Sequence, residues 1–238
     1  MAKVYTGPAV ADFAIWRPYF EFSSIPIDPD AVKATAFAVL PGGDRKSVLV
    51  TVLHPGVGSE SPLTDPDSAA SFRSTIERVA VTEAFGAGDE MRDVGQLILP
   101  NTEETTEETP PSTDLVNDLL LIDPARMERR IRPLEFASQF PKQGDSVWMA
   151  TAVYGGASPS TVAHEAILTE CDPNGRWAYR FVNERLALQA TSGAPLLNTD
   201  GKVVGIHLTG DETSDEIAGV GISGAQLLEQ LGRLNEKR

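Results

Sequence analysis

The sequence predicts an all-β protein made of two antiparallel units and closed by one C-terminal helix. Three observations carry that reading. Apolar runs of strand length, among them KATAFAVL, KSVLVTVLH, DSVWMATAVYG and TVAHEAILTE, recur along the chain with turn residues between them. The gaps are too short to hold the crossover helices of a parallel sheet. Near the end, GAQLLEQLGRL spaces its apolar residues over 223–234 as one helix, able to lie against a barrel. At 238 residues the chain is one large β domain or two closely packed smaller ones, and either buries a sizeable core.

In chain order, residues 1–30 come first. FAIWRPYFEF is aromatic enough to pack, but prolines 18, 26 and 29 interrupt any long element. KATAFAVL and KSVLVTVLH flank PGGDR as two strands around a turn, the second ending at His54, where Pro55-Gly56 stops it. DPDSAASFRSTIERVA begins as a short helix with Pro66 in its first turn, while IERVAVTE fits a strand equally well. GQLILPN reads as a strand, and the acidic, proline-bearing NTEETTEETPPSTD as an exposed loop. Order returns at VNDLLLID, and the basic PARMERRIRPL connects the halves. The second half offers RWAYRFVNE, a short LALQ and PLLNTDGKVVGIHLTG as further strands, with hairpin turns at 172–175 and 198–201.

Thirty-four acidic residues against 20 Lys and Arg give a net charge of -14, which argues against general affinity for nucleic acid or an anionic membrane surface. Cys171 is the only cysteine, so no disulfide within the chain and no thiolate metal cluster can form. No ligand set suggests a metal. No apolar run approaches the roughly 20 residues of a membrane-spanning helix. The start, MAKVYTGPAVADFAIW, does not read as a signal peptide, and the expected location is cytoplasmic.

The chain has three histidines, at 54, 164 and 207. A general base working near neutral pH is most economically a histidine. His54 closes a strand, where it is either a structural hydrogen-bonder or a group facing a cleft. His164 sits inside a short strand beside Glu165 and reads as structural. Asp118 enters the run LLLI as a turn cap or as a partly buried carboxylate kept charged by a close partner. Ser192 lies in TSGAP, small residues that let the backbone turn closely before an apolar strand. Together His54, Asp118 and Ser192 supply a base, an orienting carboxylate and an oxygen nucleophile, the three roles of acyl transfer.

In that order the chain resembles the chymotrypsin-like, or trypsin-like, serine peptidases from about residue 33 to about 224. LVTVLHP resembles the segment ending in the catalytic histidine, NDLLLI the aspartate followed by aliphatics, and TSGAPLLNTDGKVVGIH the nucleophile loop and following hairpin. GVGISGAQLLEQL resembles the tail of bacterial relatives. The resemblance implies two antiparallel six-stranded β-barrels with a C-terminal helix and a site in the cleft between them. Its implied boundaries are an N-terminal extension (1–30) packing on the barrels, a first barrel (31–123), a connection (124–134), a second barrel (135–222) and a helix (223–238). It also implies a serine endopeptidase acting on peptide or protein substrates through an acyl-enzyme, without a cofactor. The alternative is a catalytically degenerate domain that binds peptides or acts as a scaffold.

The resemblance further implies that the backbone N–H groups of Ala190 and Ser192 form the oxyanion hole. Glycine is usual where this chain has Ala190, and a positive φ there would cost an alanine roughly 1–2 kcal/mol. Thr191 replaces the usual Asp or Asn, Ala194 stands where Gly is common, and Pro55-Gly56 departs from the usual turn after the histidine. His207, 15 residues after Ser192, stands where a histidine helps line the specificity pocket in the glutamyl endopeptidase branch, which implies cleavage after Glu and less so after Asp. The alternative is a small or uncharged residue before the cut, with His207 bonding internally. That branch often has threonine where this chain has Ala187.

Overall fold

The computed structural model describes residues 7–10, 14–23, 34–41, 46–57, 61–84, 92–94, 96–97, 114–124, 126, 131–151, 163–182, 186–212 and 216–235. The acidic loop expected over 101–114 lies outside them except for its last residue, as does much of the basic connection at 124–134.

The first half forms one seven-stranded sheet. Its strands are β1 (Ile15–Phe22), β2 (Ala36–Val39), β3 (Val48–Val52), β4 (Ile76–Glu83), β5 (Arg92–Asp93), β6 (Gln96–Leu97) and β7 (Leu119–Asp123), in the spatial order β5-β4-β1-β2-β3-β7-β6. Every assigned pairing is antiparallel. The expected first barrel had six strands and was closed. Its two edges, β5 and β6, stand only two residues apart in the chain, so the sheet curls until its margins approach, and the pair act as one interrupted strand.

β1 changes the reading of the N-terminus. Residues 15–22, expected within an extension packed on the barrels, are hydrogen-bonded inside the sheet between β2 and β4. Pro18 is tolerated because β2 pairs with β1 only at Ile15 and Trp16, which leaves an open margin beside the proline. IERVAVTE resolves as strand β4, after a helix α1 (Pro66–Arg73) that Asp65 caps by accepting from the Ser68 N–H at 2.8 Å.

The second half forms a closed six-stranded barrel of β8 (Ser146–Ala150), β9 (Ala163–Cys171), β10 (Arg176–Phe181), β11 (Pro195–Leu197), β12 (Val203–Glu212) and β13 (Ile217–Ser223). The short strand expected at LALQ is absent: residues 186–189 form loop and turn that lead into the Ser192 turn. Unread in the sequence, β13 closes the barrel by pairing with both β10 and β12. Its alternating glycines had hidden an otherwise ordinary strand pattern. Helix α2 (Gly224–Asn235) follows directly, with the Ser223 hydroxyl accepting from the Gln226 N–H at its start.

Three apolar clusters organise these elements. One fills the first sheet around Trp16, Leu49, Leu120 and Ile122, and another fills the second barrel around Met149, Leu168, Trp177 and Tyr179. The third joins Ile15, Phe37, Val50, Leu119 and Leu121 of the first half to Leu197, Ile206, Ile222, Leu227 and Leu231 of the second half and α2. β3 and β7 are therefore buried on both faces, which accounts for their continuous rather than alternating apolar runs. The connection runs along both halves, with Leu134 bridged to Val39 and Phe136 to Val203. Among the described residues no helix is long and apolar enough to cross a membrane.

Candidate active site

His54 stands where β3 gives way to a 3-10 turn, His54–Val57, in which Pro55 is accommodated. Beside it, a second 3-10 turn, Asp114–Asp118, delivers Asp118 to the start of β7. Antiparallel pairing of β3 with β7, Val52 opposite Leu119, makes these strand ends adjacent although the two residues lie 64 apart in sequence. Leu53 N–H donates to the Asp118 carbonyl at 2.8 Å and continues the pairing to the site.

Asp118 is fully buried and every oxygen of its carboxylate is used. Oδ1 accepts from the backbone N–H of His54 at 2.9 Å and of Leu63 at 3.2 Å. Oδ2 lies 2.6 Å from His54 Nδ1. A carboxylate accepts, so Nδ1 carries the hydrogen and Nε2 presents its lone pair. That Nε2 is 3.1 Å from Ser192 Oγ, within reach of the hydroxyl hydrogen. Asp118 both accepts from the backbone after β3 and lies against the imidazole.

Arg73, which the sequence did not single out, supports this carboxylate from the end of α1. Its buried guanidinium donates to the carbonyls of Asn117 and Leu119, the residues on either side of Asp118. Burial lowers its tendency to stay protonated, and the nearby Asp118 charge opposes that shift.

Ser192 sits in a turn several of whose backbone groups are hydrogen-bonded. Gly193 N–H donates to the His207 carbonyl at 2.8 Å, Ala194 N–H to the Thr191 carbonyl at 2.9 Å, and Thr191 N–H to the Leu188 carbonyl at 3.2 Å. The Thr191 hydroxyl also donates to Leu188 O at 2.7 Å. At Gly193, φ is +89°, and an added Cβ would stand 2.2 Å from Thr35 O, so glycine is required for the first sheet to approach this turn. Ala190 has φ +67° and is the only residue other than glycine with positive φ among those described. Its strain, expected from the sequence as conditional, is present. Within the turn, the N–H groups of Ala190 and Ser192 have no acceptor among the described residues.

His207 is fully buried on β12. Its Nδ1 is hydrogen-bonded to the Tyr179 hydroxyl, Phe181 stands edge-on to its ring, and Nε2 has no partner among the described residues. Burial, with the His54 charge adding to it, pushes its pKa down to about 3, so the ring is neutral at ordinary pH. Burial holds the Tyr179 phenol well above its usual range, so it too is neutral. Ala187 is half-buried in the segment leading to the Ser192 turn. Among the described residues no group of His, Cys, Asp and Glu is arranged to hold a metal ion.

No protein-family model and no curated protein sequence matches this chain. Solved structures do. The active form of the Rv3671c protease from M. tuberculosis superposes with a TM-score of 0.55 at 18% identity, covering 93% of this chain and 81% of that one. A serine endoprotease from Yersinia pestis gives a TM-score of 0.56 at 17% identity over 93% of this chain and 62% of the other, which is thus considerably longer. Kallikrein-related peptidase 10 gives 0.55 at 15% identity over 98% and 100% of the two chains. At such identities the likeness speaks for architecture, and it agrees with the curled sheet, the closed barrel and the C-terminal helix: this chain has the chymotrypsin-like two-barrel fold.

Proposed function

We propose that the chain is a serine endopeptidase with Ser192 as nucleophile, His54 as general base and Asp118 as the carboxylate that orients the imidazole. The observation that carries this reading is the unbroken line of short contacts from Asp118 Oδ2 through both nitrogens of His54 to Ser192 Oγ. As Ser192 Oγ attacks the scissile carbonyl carbon, His54 Nε2 takes the hydroxyl proton, and Asp118 stabilises the imidazolium through the Nδ1–H bond. The negative charge then gathers on the former carbonyl oxygen. The unengaged N–H groups of Ala190 and Ser192 are the donors proposed to receive it, and such donors commonly contribute a few kcal/mol. Collapse of the tetrahedral adduct returns the proton to the leaving amine, and water, activated by the same imidazole, releases the acyl group.

The preference before the scissile bond is proposed to rest on His207, with Ala187 offering no side-chain hydroxyl to help. The reading takes Tyr179 as the donor to Nδ1, which places the ring hydrogen on Nε2, an atom with no partner among the described residues. A side chain bearing an acceptor, glutamate first, suits that donor. Because burial keeps the ring neutral, the bond to a carboxylate lacks a second charge, and the advantage of Glu over Gln is expected to be about tenfold or less.

A fluorophosphonate probe tests the reading. Stoichiometric modification of Ser192, lost in Ser192→Ala and in His54→Ala, is expected. Failure of the native chain to label would turn the reading to a peptide-binding domain without acylation. A panel of peptides varied only before the cut tests the pocket, and equal cleavage after Glu and Leu would remove the role given to His207.

A further inference from the structure

Two carbonyls of the nucleophile turn are held by a single residue of the other half of the molecule. Thr35, just before β2, donates its backbone N–H to Ser192 O at 2.8 Å and its hydroxyl to Ala190 O at 2.9 Å. The Thr35 hydroxyl has one hydrogen, and Ala190 O can only accept. The 2.8 Å contact between Thr35 Oγ1 and Thr151 Oγ1 must therefore run from Thr151, just after β8, to Thr35. Thr51 on β3 completes the set by donating to Thr35 O at 2.8 Å. All three threonines are buried, so none of these bonds can be exchanged for one to bulk water.

We propose that Thr35 is a positioning residue for the oxyanion hole, with Thr151 polarising its hydroxyl from the second barrel; the inference rests on Ser192 being the nucleophile. The reason lies at Ala190. Its φ of +67° is strained for a residue with a Cβ, and rotation of the adjoining peptides would relieve that strain. Such a rotation re-aims the Ala190 N–H and drags the Ala190 carbonyl off the Thr35 hydroxyl. Leaving a buried carbonyl unpaired costs about as much as the strain it would release, so this one bond decides which orientation wins. The chain from Thr151 through Thr35 to Ala190 also polarises each bond in turn. Catalytic geometry in the second barrel thereby depends on a residue of the first.

The test compares Thr35→Val, Thr35→Ser and Thr151→Val with the native chain by rate of fluorophosphonate labelling, by steady-state peptide cleavage and by thermal unfolding. Thr35→Val is expected to lower kcat and labelling rate by about 10- to 100-fold, the scale of a misdirected oxyanion donor, with KM nearly unchanged. Thr35→Ser keeps the hydroxyl and restores most of that rate. In an Ala190→Gly background, where the strain is gone, the loss on Thr35→Val shrinks; a purely structural role for Thr35 predicts the same loss in both backgrounds. If Thr35→Val fails to fold, Thr151→Val is decisive: it weakens the bond to Ala190 and lowers kcat several-fold, and an unchanged kcat overturns the proposal. A folded Thr35→Val that labels at the native rate also overturns it while leaving the peptidase reading intact. Absence of labelling in the native chain overturns both.

Discussion

Ala190 carries a backbone cost that its neighbours make worthwhile. Glycine at this position would escape roughly 1–2 kcal/mol of left-handed strain but lose roughly 0.5–1 kcal/mol through its greater freedom in the unfolded chain. Ala190→Gly is thus expected to leave the melting temperature unchanged or raise it slightly, although alanine-to-glycine changes in ordinary backbone lower it. A clear fall in the unfolding midpoint, read by calorimetry, would show that Ala190 is not strained. The resemblance to serine peptidases implied that glycine is usual where this chain has Ala190, and so raised the question of strain. The sequence did not reveal Thr35, since a threonine ahead of a strand has no mark that separates a clasp from a β-branched core residue.

At the scale of elements, the site depends on α1 as much as on the strands that carry its side chains. The helix is only eight residues long, capped by Asp65, and its last residue, Arg73, spans the carbonyls on both sides of Asp118. Arg73→Met keeps much of the apolar stem but leaves two carbonyls unpaired and a buried aspartate without its nearby cation. The expected destabilisation is about 2–4 kcal/mol, read as a drop of several degrees in the unfolding midpoint. A midpoint within a degree of the native value would show that the guanidinium is not holding the Asp118 turn. The start of this helix was legible, since Asp-Pro followed by small residues is a capping signal. Its function was not, because the partner carbonyls belong to a turn more than 40 residues away. LALQ misled for the opposite reason: Leu186 is buried and Leu188 half-buried by packing around the Ser192 turn without pairing in the barrel.

Across the whole molecule, two buried histidines link stability to pH. His164 on β9 and His207 on β12 each leave Nε2 without a partner among the described residues, and burial lowers their pKa values to about 4 and about 3 from 6.5. The unfolded chain therefore binds protons that the folded chain refuses between 6.5 and these lower values. Stability is complete above that range and is lost as pH falls through it, with a cost on the order of 2 kcal/mol per histidine at ~pH 5. Denaturant midpoints should fall from about pH 7 to about pH 5, before most carboxylates titrate, and His164→Leu should roughly halve the slope. An unchanged slope in that variant would place the acid sensitivity elsewhere. His164 was read from the sequence as structural, and its buried Nε2, without a partner among the described residues, gives that reading a measurable consequence.

The sequence by itself determined the all-β class, the terminal helix and most strand positions, because alternation and turn residues are local properties, and its resemblance to serine peptidases named His54, Asp118 and Ser192 as candidates. It marked residues 1–30 as peripheral, since prolines broke the local pattern, and missed β13, where glycines thinned it. Tertiary structure alone decided that β1 lies within the first sheet, that Asp118, His54 and Ser192 meet across 64 and 74 residues of chain, and that one buried hydroxyl from the opposite half holds Ala190 at positive φ. Those outcomes depend on strand pairing and on desolvation at the apolar seam, where a hydrogen bond left unmade has no water to replace it.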